Sequence, residues 1–304
     1  MKFSGHETFS CRATWLKKGL DFMYTGKTFD PSRFMKQGAA TELGVGRNMV
    51  SSIRYWLSAF GIIHENSESD AYTDPTIRQF IDQLEDDDKP LDLYLEDPLT
   101  LWLLHFRLVS TNYATIYNFF FLHFIPRKSN DSFTEQEFLL ALKSFIRSSG
   151  SSIPSLKTLE SDFKVLLDMY ALKWQKSNEI DDTALNILQP LEILTRQKLT
   201  KEKIVFYSLN RSSLEDVPLE LIGLLILEIY INQNVKSRSA ELLLEEVGRA
   251  FCLNRDRFYD LLNLLEAEYS EYFAFSRARN AGINEFQLRK AISIKDFLSL
   301  KYIK

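Results

Sequence analysis

Residues 39–63 combine two helical patterns separated by a glycine-containing turn, and no other stretch constrains the fold of this chain as strongly. The second pattern places apolar side chains at the spacing of one helix face. Gly44 suits the left-handed conformation that ends a helix, and Val45 is expected to fill the corner between the two helices. The stretch therefore predicts a helix-turn-helix. Ile62 and Ile63 are expected to begin a short strand after it, as in winged-helix domains.

The polar side of the predicted second helix carries residue types that suit DNA. Arginine binds phosphate oxygens and guanine edges, and asparagine and serine hydrogen-bond to bases. Base contacts are expected from the first turns of the helix, where Arg47, Asn48 and Ser51 lie, and phosphate contacts from Arg54 and Lys36. The complete set of predicted DNA-binding residues is Lys36, Arg47, Asn48, Ser51, Ser52, Arg54 and Tyr55.

The composition narrows the class of protein. The 304 residues are 45% apolar and 26% charged, which is typical of a globular protein with two or three domains. A net charge of −4 argues against a protein that coats nucleic acid nonspecifically, because such proteins carry a basic excess. Cys11 and Cys252 form no CxxC pair, so we expect a reducing, cytoplasmic setting and no structural zinc. No membrane span, metal or cofactor is expected.

The remaining helical patterns predict a mainly α, multi-domain protein with winged helix-turn-helix-like units and a few short β-hairpins. Asp97-Pro98 and Thr134 with Glu137 are helix-start signals in the middle of the chain. The helical pattern at 156–170 is expected to turn Lys157, Glu160, Ser161 and Lys164 outward. A strand is expected at 204–207, and the acidic run at 85–88 is expected to be a solvated loop. The predicted parts are an N-terminal winged-helix-like domain at 1–88, a middle helical, helix-turn-helix-like domain at 89–174, a connector at 175–215 and a C-terminal winged-helix-like domain at 216–304.

The predicted C-terminal domain repeats the helix, turn, helix and hairpin plan. Ser239 is expected to cap its first helix, and strands are expected at 273–276 and 285–288 around a loop. Its outward basic residues predict a second surface for DNA or a protein partner, formed by Arg255, Arg257, Arg277 and Arg279.

A polar motif at the N-terminus has two interpretations. His6, Glu7 and Arg12 form a polar cluster that is capable of acid–base chemistry. Alternatively, the segment is a hydrogen-bonded arm that attaches to the core. We favour the arm, because nothing nearby supplies a nucleophile or a metal shell. His105 and His123 lie in apolar helical patterns and are predicted to be hydrogen-bonded core residues rather than metal ligands.

Several ordered blocks resemble the domain-of-unknown-function 4007 family (DUF4007). They are FSGHETF at 3–9, WLKKG at 15–19, LGVGRNMVSSIRYW at 43–56, YLEDPLTLWLLHF at 94–106 and SLKTLESDFKVLLDMY at 155–170. The resemblance implies an accessory protein of bacterial DNA phosphorothioation or related defence loci. It also implies a protein partner similar to a phosphoadenosine-phosphosulfate-reductase-like sulfurtransferase. It supplies no established catalytic residues.

Two functions remain open, with an enzyme as a third and less favoured possibility. The first is a noncatalytic DNA-binding or adaptor subunit that recruits a modification enzyme to duplex DNA. The second is a protein–protein scaffold without DNA contact, favoured by the acidic net charge. The sequence contains no P-loop, dinucleotide fingerprint, nucleophile elbow or paired-histidine metal motif, and we therefore predict no enzymatic activity.

Overall fold

The computed structural model describes residues 1–25, 28–63, 74–81, 90–171, 185–198, 205–277 and 282–302. The chain divides into two compact units, Met1–Ser213 and Leu214–Lys304, called here the first and second units. Division of the first 213 residues into smaller domains stays a prediction. The predicted acidic loop at 85–88 and the centre of the predicted C-terminal hairpin loop lie outside the described residues.

Helices make up most of the first unit. A 3₁₀ segment precedes α2 at Pro31–Met35, and a π-helical segment at Phe119–Phe124 follows α6. The α-helices are α1 (Trp15–Met23), α2 (Ala39–Leu43), α3 (Arg47–Ala59), α4 (Pro75–Ile81), α5 (Pro98–Ser110), α6 (Thr115–Asn118), α7 (Glu135–Ser148) and α8 (Leu156–Tyr170). A further helix, α9 (Arg211–Glu215), begins in the first unit and ends in the second.

Side chains at the helix starts confirm two of the predicted boundaries. The Asp97 carboxylate accepts a hydrogen bond from the Leu99 backbone N–H at 2.7 Å, with Pro98 at the first position of α5. Thr134 and Glu137 form a reciprocal capping box at the start of α7. Each arrangement satisfies backbone N–H groups that have no partner within the helix.

The helices α1 and α3 pack closely because a glycine lies between them. A methyl group at Gly19 would lie only 2.7 Å from Cγ2 of Ile53 and 2.8 Å from Cδ1 of Leu57. Trp56 on the same side of α3 is fully buried, and its indole N–H donates to the Phe9 carbonyl at 3.1 Å. The apolar face predicted for α3 is therefore the face that enters the core.

The first unit also contains short antiparallel strands. A two-stranded pair joins β1 (Tyr24–Thr25) and β2 (Thr28–Phe29). A three-stranded sheet has the order β3–β5–β4 and places Arg196 and Phe133 opposite Tyr207 on its two neighbouring strands. The strands of this sheet are β3 (Ser132–Phe133), β4 (Leu194–Lys198) and β5 (Val205–Leu209), so the described part of the predicted connector contributes two strands.

The second unit combines helices with a three-stranded antiparallel sheet of order β6–β8–β7. Ser239 caps α11 as predicted, accepting from the Leu242 N–H at 3.2 Å. The two predicted hairpin strands have the predicted bounds. The elements are α10 (Leu219–Gln233), β6 (Ser237–Ser239), α11 (Ala240–Glu246), α12 (Arg255–Glu268), β7 (Phe273–Ser276), β8 (Glu285–Leu288) and α13 (Ile294–Tyr302).

The observed fold is thus mainly helical with a few short antiparallel strands, as the sequence predicts. None of the helices within the described ranges has both the length and the apolar character required to cross a bilayer.

Candidate functional sites

The N-terminal arm is attached to the first unit through a buried histidine–aspartate contact. His6 and Asp162 are each only 2% exposed, and Nε2 of His6 lies 2.9 Å from Oδ1 of Asp162. The Thr8 backbone N–H donates to Nδ1 of His6 at 3.2 Å, which assigns the ring proton to Nε2. The Ser4 N–H donates to Asp162 at 2.9 Å. Both imidazole nitrogens are therefore occupied within the protein.

The other two members of the predicted polar cluster lie apart from this contact. Glu7 is exposed, and the Arg12 guanidinium lies 5.5 Å from the centroid of the Trp15 ring. No hydrogen bond or ion pair among the described residues joins His6, Glu7 and Arg12. The cluster is not assembled as an acid–base site.

The backbone of the motif is strained around His6. Ser4, Glu7 and Thr8 have φ values of 59°, 48° and 66°, in the left-handed region that disfavours residues with a side chain. Thr8 is β-branched and is therefore an outlier in this region. Such strain persists only where surrounding contacts fix the backbone, and the bonds of His6 supply those contacts.

The predicted DNA-binding face of α3 is partly exposed and partly buried. Arg47, Asn48 and Ser51 are exposed, as predicted. Ser52 is fully buried and Tyr55 is only 4% exposed, so neither side chain reaches the surface. These two residues leave the predicted contact set because they lie on the side of α3 that packs into the unit.

Arg54 and Lys36, the two cations expected to contact phosphate, differ in how accessible they are to a ligand. Arg54 is half-buried, with Nη1 2.8 Å from Sδ of Met35 and a buried Nε that has no hydrogen-bond partner. Lys36 is exposed but forms an ion pair with Asp30 at 2.6 Å. An exposed pair of this kind is weak and can exchange for a phosphate. Lys36 is therefore the more accessible cation.

The beginning of α3 is open to solvent. Its N-cap is Gly46, and no side chain caps the first turn. A methyl group at Gly46 would meet no atom within 4 Å. Arg47 has no ion pair in the part of the chain that the structure describes. Free N–H groups and an unpaired cation at a helix start are suited to an anion.

The two histidines within the helices differ in burial. Nδ1 of the fully buried His105 lies 2.8 Å from the Tyr170 hydroxyl, a hydrogen-bonded core position as predicted. His123 is only half-buried, and burial followed by the charge of Arg127 lowers its pKa. No group of three or more potential metal ligands occurs among the described residues.

Burial raises the pKa of the Cys11 thiol well above its ordinary value.

The predicted basic surface of the second unit is held by internal contacts. Arg255 forms an ion pair with Glu241 at 3.2 Å, and the Tyr259 hydroxyl donates to the same carboxylate. Arg257 donates to the Glu215 carbonyl at 3.3 Å. The remaining arginines of the predicted surface are Arg277, which donates to Asn263 at 2.6 Å, and Arg279, which lies outside the described residues.

Sequence reasoning missed a cleft in the first unit between α8, the start of α7 and the paired strands β4 and β5. Glu160 and Lys164 were expected only to face outward from α8. Arg196 and Tyr207 were not expected to contribute, because their proximity depends on the register of two strands. The prediction of a strand near residue 205 was the only available signal.

Comparison with known proteins supports a shared family and fold. A family model described as protein of unknown function (DUF4007) matches residues 3–302. A magnesium ion-bound SspB crystal structure aligns with 22% identity and a TM-score of 0.74, over 99% of this chain and 88% of that chain. Another SspB crystal structure aligns over the same shares with 22% identity and a TM-score of 0.71. No curated protein matches the sequence significantly.

Proposed function

This chain belongs to the DUF4007 family, and we propose that it is a noncatalytic DNA-binding or adaptor subunit of a bacterial DNA phosphorothioate modification or defence system. In this proposal α3 contacts duplex DNA and the protein recruits a modification enzyme in the cytoplasm. The partner would be a phosphoadenosine-phosphosulfate-reductase-like sulfurtransferase. The resemblance to accessory proteins of such loci supports the proposed role in a modification or defence system. The exposed surface of α3 supports the proposed DNA contact.

One observation carries the DNA-binding proposal: the open start of α3 presents Arg47, Asn48 and Ser51 on the side opposite its buried residues. The N-terminal end of a recognition helix is the part that enters the major groove in helix-turn-helix proteins. We interpret α2, the left-handed Gly44 and α3 as such a unit, because Gly44 has φ 61° and reverses the chain between the helices. A wing after α3 would fall at 64–73, outside the described residues.

The second unit has the element order of a winged helix. The helices α11 and α12 are followed by the β7–β8 hairpin, and β6 pairs with β8. We interpret it as a winged-helix-like unit on this order. The exposed residues of this second unit differ from those of α3.

Binding of a labelled duplex across a salt series tests the DNA contact, with Arg47→Glu compared with Arg147→Glu. Both arginines are exposed and have no ion pair within the described ranges, but Arg147 lies at the end of α7. We expect Arg47→Glu to weaken binding about fivefold or more, because a negative charge replaces a predicted base contact at the start of the helix. Arg147→Glu should bind as the unaltered protein does.

Two results would contradict the proposal. One is no binding at low salt. The other is an equal loss of affinity in both variants, which would show that affinity depends only on the net charge of the protein. Arg54 is left unaltered in this test because it is half-buried against Met35, so its replacement would disturb packing.

The alternative function, a protein–protein scaffold, is favoured by the exposed face of α12. Asp256 and Asp260 are exposed one turn apart on this helix, and Leu264 continues the same face. Carboxylates repel phosphates, so this face suits a protein better than DNA. A partner complex that survives nuclease treatment and high salt supports the scaffold, and complete dissociation on nuclease treatment contradicts it.

A further inference from the structure

The cleft in the first unit has the dimensions of a small-molecule site. Its volume is about 630 Å³, within the range of roughly 300–1,000 Å³ that is common for ligand pockets. Most of its lining residues belong to α8, and Thr8 from the strained N-terminal arm also lines it. The cleft shares no residue with the exposed face of α3.

A buried tyrosine that lines this cleft has an unused hydroxyl. Tyr207 is 6% exposed, and its ring packs against Phe133 and Phe163 at centroid distances of 5.8 and 5.5 Å. Its hydroxyl has no hydrogen bond to any described residue. Burial raises the pKa of Tyr207, so the hydroxyl is protonated at neutral pH and can donate to a ligand.

Three cations line the cleft without ion pairs to described residues. Lys157 and Lys164 are seven positions apart and therefore lie on one face of α8. Arg196 lies opposite Tyr207 in the strand register, so both side chains are on the same face of the sheet. All three are exposed. Together with the Tyr207 hydroxyl they can hold an anionic group such as a phosphate.

Two carboxylates in the same cleft have no ion pair within the described ranges. Burial, followed by repulsion from the charge of Glu160, raises the pKa of Glu135. No ion pair within the described ranges joins either carboxylate to a lysine, although Glu160 lies three positions after Lys157 and four before Lys164 on α8. Carboxylates accept hydrogen bonds from amino groups on base edges. Both signs of charge therefore line the cleft, with Asp168 as a further carboxylate.

We propose that this cleft binds a nucleotide whose base carries an amino group. Its phosphate would contact Lys157, Lys164 and Arg196, and its base amino group would donate to Glu135 or Glu160. A nucleotide joins an anionic group to an amino edge through a sugar, and so offers a partner to each sign of charge in the cleft. The binding is independent of the DNA contact proposed for α3. The nucleotide comes either from solution or from a nucleic-acid strand.

Calorimetric titration of the full chain with CMP and UMP tests this proposal, because the two differ at the base edge by an amino group and a carbonyl. We expect CMP to bind at least about fivefold more tightly than UMP. Glu160→Gln should remove this preference, and Lys164→Ala should weaken both nucleotides about tenfold. Lys18→Ala, an exposed lysine on α1, is the matched control and should change neither.

Tyr207→Phe should weaken CMP several-fold while the tryptophan-monitored unfolding curve stays unchanged, which separates a ligand contact from a folding defect. Tighter binding of a short oligodeoxycytidylate than of CMP assigns the site to a strand when Lys164→Ala abolishes the difference, and equal binding assigns it to a free nucleotide. Equal affinity for CMP and UMP overturns the proposal, as does an absence of saturable binding. Arg47→Glu should leave CMP binding intact, so failure of the DNA proposal is distinguishable.

Discussion

Replacing Asp162 by alanine should destabilise the first unit substantially. The substitution leaves two donors without their acceptor, the buried Nε2–H of His6 and the partly buried N–H of Ser4. Each unpaired buried donor costs about 1–3 kcal/mol, and the Ser4 group regains some solvent contact. We therefore expect Asp162→Ala to lower the free energy of unfolding by about 2–4 kcal/mol.

Urea unfolding followed by tryptophan fluorescence measures this effect specifically. The four tryptophans of the sequence all lie within residues 1–213, so their fluorescence reports on the first unit alone. Trp56 lies near the contact, with its ring centroid 6.2 Å from that of His6. Unfolding of the second unit does not enter the signal.

Two further variants provide reference values for the loss in free energy of unfolding. Asp162→Asn keeps one acceptor oxygen and should cost roughly half as much, about 1–2 kcal/mol. Asp21→Ala removes an exposed ion pair with Lys17 one helical turn away and should cost no more than about 0.5 kcal/mol. A loss below about 1 kcal/mol for Asp162→Ala would refute the structural role, because both donors would then be satisfied without the carboxylate.

Two other substitutions test packing and ionisation. Gly19→Ala should lower the free energy of unfolding by about 1–3 kcal/mol in urea, because its methyl group meets Ile53. Gly46→Ala should cost no more than about 1 kcal/mol, because its methyl group meets no atom and only the N-cap preference for glycine is lost. Burial, with the nearby Glu220 carboxylate, raises the pKa of Tyr269 to about 12, above the ordinary value of 10. The folded state then retains the proton longer, so stability of the second unit falls as the pH rises from 10 to about 12. Circular dichroism should show a smaller fall for Tyr269→Phe.

Local signals in the sequence predicted much of the secondary structure correctly. The caps formed by Asp97, Thr134 and Ser239 depend on residues two or three positions away, so their chemistry is visible in a short window. The β7–β8 hairpin is also local. The helix face of α3 was predicted through its apolar spacing, but Ser52 and Tyr55 lie at the edge of that face, where spacing alone does not decide burial.

Contacts between distant residues were beyond the reach of sequence patterns. Asp162 is separated from His6 by 156 positions, and no periodic signal connects an N-terminal arm to the middle of α8. The cleft depends on the pairing of Arg196 with Tyr207, and a shift of one residue would move either side chain to the other face of the sheet. The candidate site was therefore unpredictable even though its strand was partly predicted.

The contacts of His6 give the FSGHETF motif at residues 3–9 a structural role. His6 uses both ring nitrogens to fix the arm, so it has none left for chemistry in this conformation. The same bonds hold Thr8, which lines the cleft, at a strained φ of 66°. Strain of this kind is retained where surrounding contacts over-determine a functional geometry. The motif therefore fixes the N-terminal arm beside the cleft, while the groups that the cleft offers to the proposed ligand lie on α8, the start of α7 and the β4–β5 pair.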